Sequence, residues 1–255
     1  MTDQSNKPNA AVEREFLHPG KHRPHYLERV SIVQALRELR HRVKPGRLLD
    51  IGCGMKPYES LLTQHGNRYY GTDWPVTMES SYGSSTRADF FSDSMVLPFR
   101  EGTFDTVIST QVLEHVRQPE IVIQDMARVL KPDGILILSA PMTWPLHEEP
   151  YDYYRYTLHG LRHLLQEADF KILDEIRRGN NWTTMAQMFL DTQVGNLGQR
   201  LPERLYTALI SLAVNNACSV VNLFKPVRRL CLGWVMVAKK ISTEEAPPAD
   251  IKRPL

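Results

Sequence analysis

The stretch Leu48-Leu49-Asp50-Ile51-Gly52-Cys53-Gly54-Met55-Lys56-Pro57 constrains this chain more than any other. An apolar run leads straight into a Gly-x-Gly turn, so a strand ends where backbone can approach a ligand with no Cβ in the way. A dinucleotide fingerprint wants a third glycine to let the next helix receive a pyrophosphate, and Pro57 stands there instead. Asp73 follows the run Tyr69-Tyr70-Gly71-Thr72, 19 residues beyond Gly54. A carboxylate at the tip of a second strand can take both hydroxyls of a ribose. At this spacing the two features imply an adenosine-containing ligand.

Around that core the chain alternates short apolar runs with helical patterns, the signature of βαβ units. Strands are predicted at 48–51, 69–72, 106–109, 135–139, 170–176 and 232–238, with a short one near 87–90. A first helix is expected from Tyr26 to Val43, on the spacing of Ile32, Leu36, Leu39 and Val43, and is stopped by Pro45 and Gly46. Further helices are expected over Pro119–Val129 and Leu158–Ala168, the latter capped by Thr157. The interval from Arg177 to Leu230 is far too long for a connection between sheet neighbours, so a helical insertion is placed at about 181–229.

The 255 residues suit one α/β domain over 14–241, with polar segments 1–13 and 242–255 expected to be a disordered lead-in and tail. A net charge of +2 gives no reason to expect a nucleic-acid partner. Cys53, Cys218 and Cys231 are odd in number and far apart, which fits a reducing, cytoplasmic setting. The N-terminus has no apolar run of the kind a secretory leader needs.

These motifs resemble the S-adenosylmethionine-dependent methyltransferases of class I, of the small bacterial type-11 kind. Asp50-Ile51-Gly52-Cys53-Gly54 matches their first motif and Asp73 their second. Phe104 to Ser109 with Gln111-Val112-Leu113-Glu114-His115-Val116 is similar to their fourth-strand motif, and Leu130-Lys131-Pro132-Asp133-Gly134 to the turn into their fifth strand. The resemblance covers roughly Gly46 to Phe170 and implies a Rossmann-like fold with a mostly parallel seven-stranded sheet. It implies S-adenosyl-L-methionine as cofactor, with Asp50, Gly52, Cys53 and Gly54 at its methionine end, Asp73 on the ribose, Asp89 facing the adenine, and Gln111 at the tip of the fourth strand beside the cofactor. Trp74 is either an adenine-packing residue or ordinary packing under a loop.

Methyl transfer from a sulfonium is an in-line displacement, so the protein mainly aligns the reactants and supplies a base where the acceptor is a hydroxyl. The segment His147-Glu148-Glu149-Pro150-Tyr151-Asp152-Tyr153-Tyr154-Arg155-Tyr156-Thr157 resembles the acceptor-lining segment of the same family. His147 is the expected general base because an unperturbed imidazole titrates near neutrality, with Tyr154 and Arg155 beside it. The alternative is a loop in which Arg155 pairs with a nearby carboxylate and the tyrosines pack. Glu114 and His115, in the turn after the fourth strand, could reach the same cleft, with solvated or capping roles the preferred reading.

His18, His22 and His25 lie among Pro19, Gly20 and Pro24, which break any helix that would align them, so no metal is expected and a lid over the cofactor is the functional reading. The uncharged stretch Leu205 to Phe224 contains Asn215, Asn216 and Asn222, which are costly in hydrocarbon. Its apolar residues Leu205, Leu209, Leu212, Val220 and Phe224 trace one helical face. That face is expected to pack on the domain or a second subunit. Flanking Arg200, Arg204, Lys225, Arg228 and Arg229 offer an anionic membrane surface through 205–229, at the inner membrane face, as the alternative. The acceptor is expected to be a small molecule or a glycan or lipid-linked group. The rivals are a non-catalytic S-adenosylmethionine-binding regulator and a nicotinamide-dependent oxidoreductase.

Overall fold

The computed structural model describes residues 10–63, 66–74, 86–194, 200–224 and 228–241. Its centre is one seven-stranded sheet in the order β3-β2-β1-β4-β5-β7-β6. The strands are β1 (Arg47–Ile51), β2 (Arg68–Asp73), β3 (Phe90–Phe91), β4 (Phe104–Thr110), β5 (Leu130–Pro141), β6 (Phe170–Arg178) and β7 (Gly233–Lys240). All pairings are parallel except those of β7, which runs antiparallel to both β5 and β6.

Alternation along the strands builds two apolar layers, because successive side chains point to opposite faces. Leu136 and Leu138 of β5 and Met236 of β7 bury against helices Pro119–Val129 and Leu158–Glu167. Ile135, Ile137, Val235 and Val237 bury on the other face against helix Tyr26–Leu39. That helix ends at Leu39 and tightens into a 3-10 turn over Arg40–Arg42, short of the expected Val43. Thr157 caps its helix as expected, accepting the Gly160 N–H at 3.1 Å.

Helix Ala10–Leu17 begins inside the segment expected to be a disordered lead-in, so residues 10–13 are a correction to that reading. Residues 1–9, Lys225 and the 242–255 tail lie outside the described residues.

The insertion consists of helices Asn181–Gln193 and Leu201–Val221. Of the packings expected for the second helix, the one of its apolar face on the domain is corrected. Ser211, Asn215 and Cys218 are buried, whereas Leu205, Leu209, Leu212 and Val220 are exposed. Asn215 explains the inversion: its amide donates to the carbonyls of Lys21 (2.8 Å) and Arg23 (3.3 Å), which no apolar residue could satisfy. Gln187 of the first insertion helix likewise donates to Pro24 O (2.9 Å) and accepts the Glu28 N–H (3.1 Å). The loop carrying His18, His22 and His25 is therefore pinned by the insertion. Among the described residues no helix is long and apolar enough to cross a membrane.

Candidate active site

The order β2-β1-β4 reverses strand direction of progress at β1, and a crevice opens beyond the carboxyl ends of strands at such a point. Here it is a cavity of about 430 Å³, a size suited to a small ligand. Gly52 turns the chain at its edge with φ 73°, and a Cβ there would meet Val112 Cγ2 at 2.2 Å. Only glycine fits this turn. Gly54 also has positive φ, 48°, with open space where its Cβ would stand.

Asp73 sits at the tip of β2 on the cavity wall and is held by two backbone donors, Gly54 N–H and Trp74 N–H, each at 2.8 Å. Burial raises its carboxyl above the usual range while those N–H groups pull it back. Each oxygen retains a lone pair for a ligand hydroxyl. Trp74 also lines the cavity, edge-on to Tyr151 with ring centroids 5.2 Å apart. Gln111 faces it with φ 56°, fixed by Ser139: its N–H reaches the carbonyl and its side-chain amide the hydroxyl, both at 3.0 Å. Glu148, across the cavity, also holds a positive φ of 54°. Such backbone costs about 1–3 kcal/mol per residue and is retained where surroundings over-determine it, often at a ligand site.

The loop after β5 is stitched to the turn after β4. Tyr153 and Tyr154 N–H groups donate to the Glu114 carbonyl at 2.9 and 3.2 Å, and His115 Nδ1 stands 2.9 Å from the Tyr151 carbonyl. Arg155 makes a two-point pair with Asp152 (2.6 and 2.8 Å) and donates to the carbonyls of Trp144 and Pro145.

A methyltransferase-domain family model matches residues 21–175, more than half of the chain. The chain belongs to that family. An uncharacterized methyltransferase of Mycolicibacterium gilvum is 34% identical over 96 residues, which are 36% of this chain and 38% of that protein. Norajmaline N-methyltransferase of Rauvolfia serpentina is 34% identical over 106 residues, 38% of this chain and 36% of the relative. The matched region thus spans well under half of the length of these curated relatives. Among solved structures the [4+2]-cyclase SpnF superposes with a TM-score of 0.56 at 22% identity, covering 84% of this chain and 82% of that one. Phosphoethanolamine N-methyltransferase 2 of Haemonchus contortus, solved with phosphomonomethylethanolamine and S-adenosylhomocysteine, gives 0.53 at 14% identity over 94% of this chain and 59% of that one. At such identities these likenesses concern the fold alone.

Within this methyltransferase domain the sequence-derived residues divide. Gly52, Asp73, Trp74 and Gln111 meet at the cavity. Asp50 is buried under it, hydrogen-bonded by the Tyr69 hydroxyl, and burial pushes its carboxyl up to about 7. Cys53 is buried, packed close to Gly71, and burial raises its thiol. Asp89 is off the cavity, tied to Lys56 Nζ (2.6 Å) and Gly71 N–H (2.7 Å). Asp93 lines the cavity instead. The difference lies in where the strand ends: β3 is only Phe90–Phe91, so Asp89 precedes it and Asp93 follows its carboxyl end, where ligands bind.

Of the three residues proposed for catalysis none lines the cavity. Arg155 serves as the loop clamp that the alternative reading described. The Tyr154 hydroxyl donates to the Arg117 carbonyl at 3.0 Å. His147 lies behind the wall, its ring 4.7 Å from that of His115, and burial, with His115 nearby, lowers its pKa. His115, Arg117, Glu148 and Tyr153 reach the cavity in their place. Glu114 is 1% exposed, neither solvated nor a cap, and burial pushes its carboxyl up to about 8. No residue of 16–26 lines the cavity.

Proposed function

We propose that this protein is an S-adenosyl-L-methionine-dependent methyltransferase acting on a small-molecule or glycan or lipid-linked acceptor, at oxygen or nitrogen. The observation that carries the cofactor assignment is Asp73, a buried carboxylate at the tip of β2 facing the cavity beside a Gly52 turn that tolerates no side chain. The residues present fit the cofactor. Asp73 would receive the ribose hydroxyls, Asp93 and Met95 would flank the base, and Gly52 with Gln111 would border the methionine end. Bound there, S-adenosylmethionine supplies a methyl group already activated on a sulfonium.

The chain's own task is alignment and exclusion of water. Trp74 and Tyr151 wall the cavity, and the Arg155–Asp152 clamp fixes the loop that carries Tyr151 and Tyr153 against the 111–115 turn. His115 stands on the wall where an acceptor would approach. A second reading is cofactor binding without methyl transfer, since one fold hosts more than one chemistry.

The test is transfer of labelled methyl from S-adenosylmethionine to a panel of phenols, sugars and amines. Product formation that falls in Asp93→Ala and Trp74→Ala supports the proposal. Saturable cofactor binding with no labelled product across the panel would move the case to the second reading.

A further inference from the structure

Glu114 has no chemical explanation within the fold. Both its carboxyl oxygens are buried with no side-chain hydrogen-bond partner, and a buried polar group left unpaired is costly. It does not stand alone. One ligand atom from each of Glu114, His115 and His147 lies within 4.8 Å of the other two. Glu148 adds a second carboxylate, with Oε2 3.8 Å from His115 Nε2, while Glu114 Oε1 is 4.0 Å from the same nitrogen.

The outer contacts of the two imidazoles point the same way. His115 Nδ1 faces the Tyr151 carbonyl at 2.9 Å, and His147 Nδ1 faces the Pro145 carbonyl at 3.3 Å and Asp152 Oδ2 at 3.4 Å. With Nδ1 assigned as the protonated nitrogen on those partners, each Nε2 is left with a free lone pair. A backbone carbonyl or carboxylate behind a histidine is the usual arrangement of a metal-ligating imidazole.

We propose that Glu114, His115 and His147, with Glu148 at the cavity edge, bind one first-row divalent transition-metal ion at the acceptor end of the cleft. Two imidazole nitrogens and carboxylate oxygens suit Zn²⁺, Co²⁺ or Mn²⁺ better than Mg²⁺ or Ca²⁺, which prefer all-oxygen sites. Ligand atoms around such an ion stand about 3–4 Å apart, so closure from the present spacing needs side-chain movements of about an ångström or less. An organic amine is a poorer occupant, because Glu114 is 1% exposed and only a bare ion can reach it behind His115.

The ligands stand on this geometry alone, and only the role of the ion rests on the methyltransferase reading. In that role it favours a hydroxyl acceptor over an amine. A Lewis acid lowers the pKa of a bound hydroxyl, whereas it occupies the single lone pair of a bound amine.

The experiment uses the full chain without a histidine tag, stripped with chelator and titrated with Co²⁺ and Zn²⁺ in the absence of S-adenosylmethionine. The expected result is one ion per chain, a visible Co²⁺ absorption change and a raised melting temperature. Glu114→Gln and, as a second variant in case the first misfolds, His147→Asn should weaken binding about 100-fold or more. No uptake by folded wild-type protein would overturn the proposal. So would uptake undiminished in a folded variant, the result expected if the N-terminal histidines were binding the ion. Separate titration with S-adenosylmethionine distinguishes failure of the metal site from failure of the cofactor assignment.

Discussion

The cleft beyond β1, β2 and β4 and the helical pair between β6 and β7 are held by opposite kinds of contact. The cleft hangs from an apolar sheet, where Leu49, Val107 and Leu136 are fully buried and the polar groups gather at the strand tips. The insertion is fastened by polar groups, Asn215 and Gln187, to a loop and helix 159–194 residues earlier in the chain, and leaves Leu205, Leu209 and Leu212 exposed. Period and spacing therefore describe the first region, while the second depends on partners that no local pattern reveals.

The sharpest way to break this contrast is at its seam. Arg178, at the end of β6, is 1% exposed and donates to Glu28 Oε1 at 2.6 Å. Glu28→Ala should leave that guanidinium buried and unpaired, costing about 3–5 kcal/mol. Urea unfolding would check this, and a loss within a few tenths would mean that apolar packing alone carries the junction.

A smaller loss is expected at the clamp beside the cleft. Burial alone would raise the Asp152 carboxyl, but hydrogen bonds from Arg155 and from the His147 N–H hold it down at about 2. A carboxyl whose folded pKa lies below its unfolded value of 3.8 stabilises the fold above that value, and the gain disappears as pH falls through about 2. Arg155→Met should lower stability at neutral pH by about 2 kcal/mol. The difference from wild type should vanish toward pH 2, and a pH-independent difference would assign the effect to packing.

Next comes Asn215→Leu, which strengthens the apolar pattern of its helix yet strips partners from the Lys21 and Arg23 carbonyls; a loss of about 1–3 kcal/mol is expected. Leu209→Ser, on the exposed face, should change melting by the equivalent of about 0.5 kcal/mol or less. A larger effect of Leu209→Ser than of Asn215→Leu in thermal melts would restore the amphipathic packing read from sequence.

Much of the first region was legible. The strand runs, the two-glycine turn and Asp73 are local or evenly spaced features, and the structure brings Gly52, Asp73, Trp74 and Gln111 to one cavity. Asp89 and Asp93 show where that legibility stops. Both flank a two-residue strand, and which carboxylate faces the cavity depends on where that strand ends. At the acceptor end the sequence named the right loop but the wrong side chains. Arg155 and Tyr154 turn toward loop carbonyls, while Glu114, expected near solvent, is enclosed by a loop 40 residues later in the chain.

The central claim is that this cleft binds S-adenosylmethionine through Asp73. Calorimetric titration of the purified protein with S-adenosylmethionine and separately with NADH, repeated on Asp73→Ala, tests it most directly. The account predicts saturable binding of S-adenosylmethionine only, lost in a variant that remains folded. No binding by folded wild-type protein, or binding of NADH in its place, would contradict it.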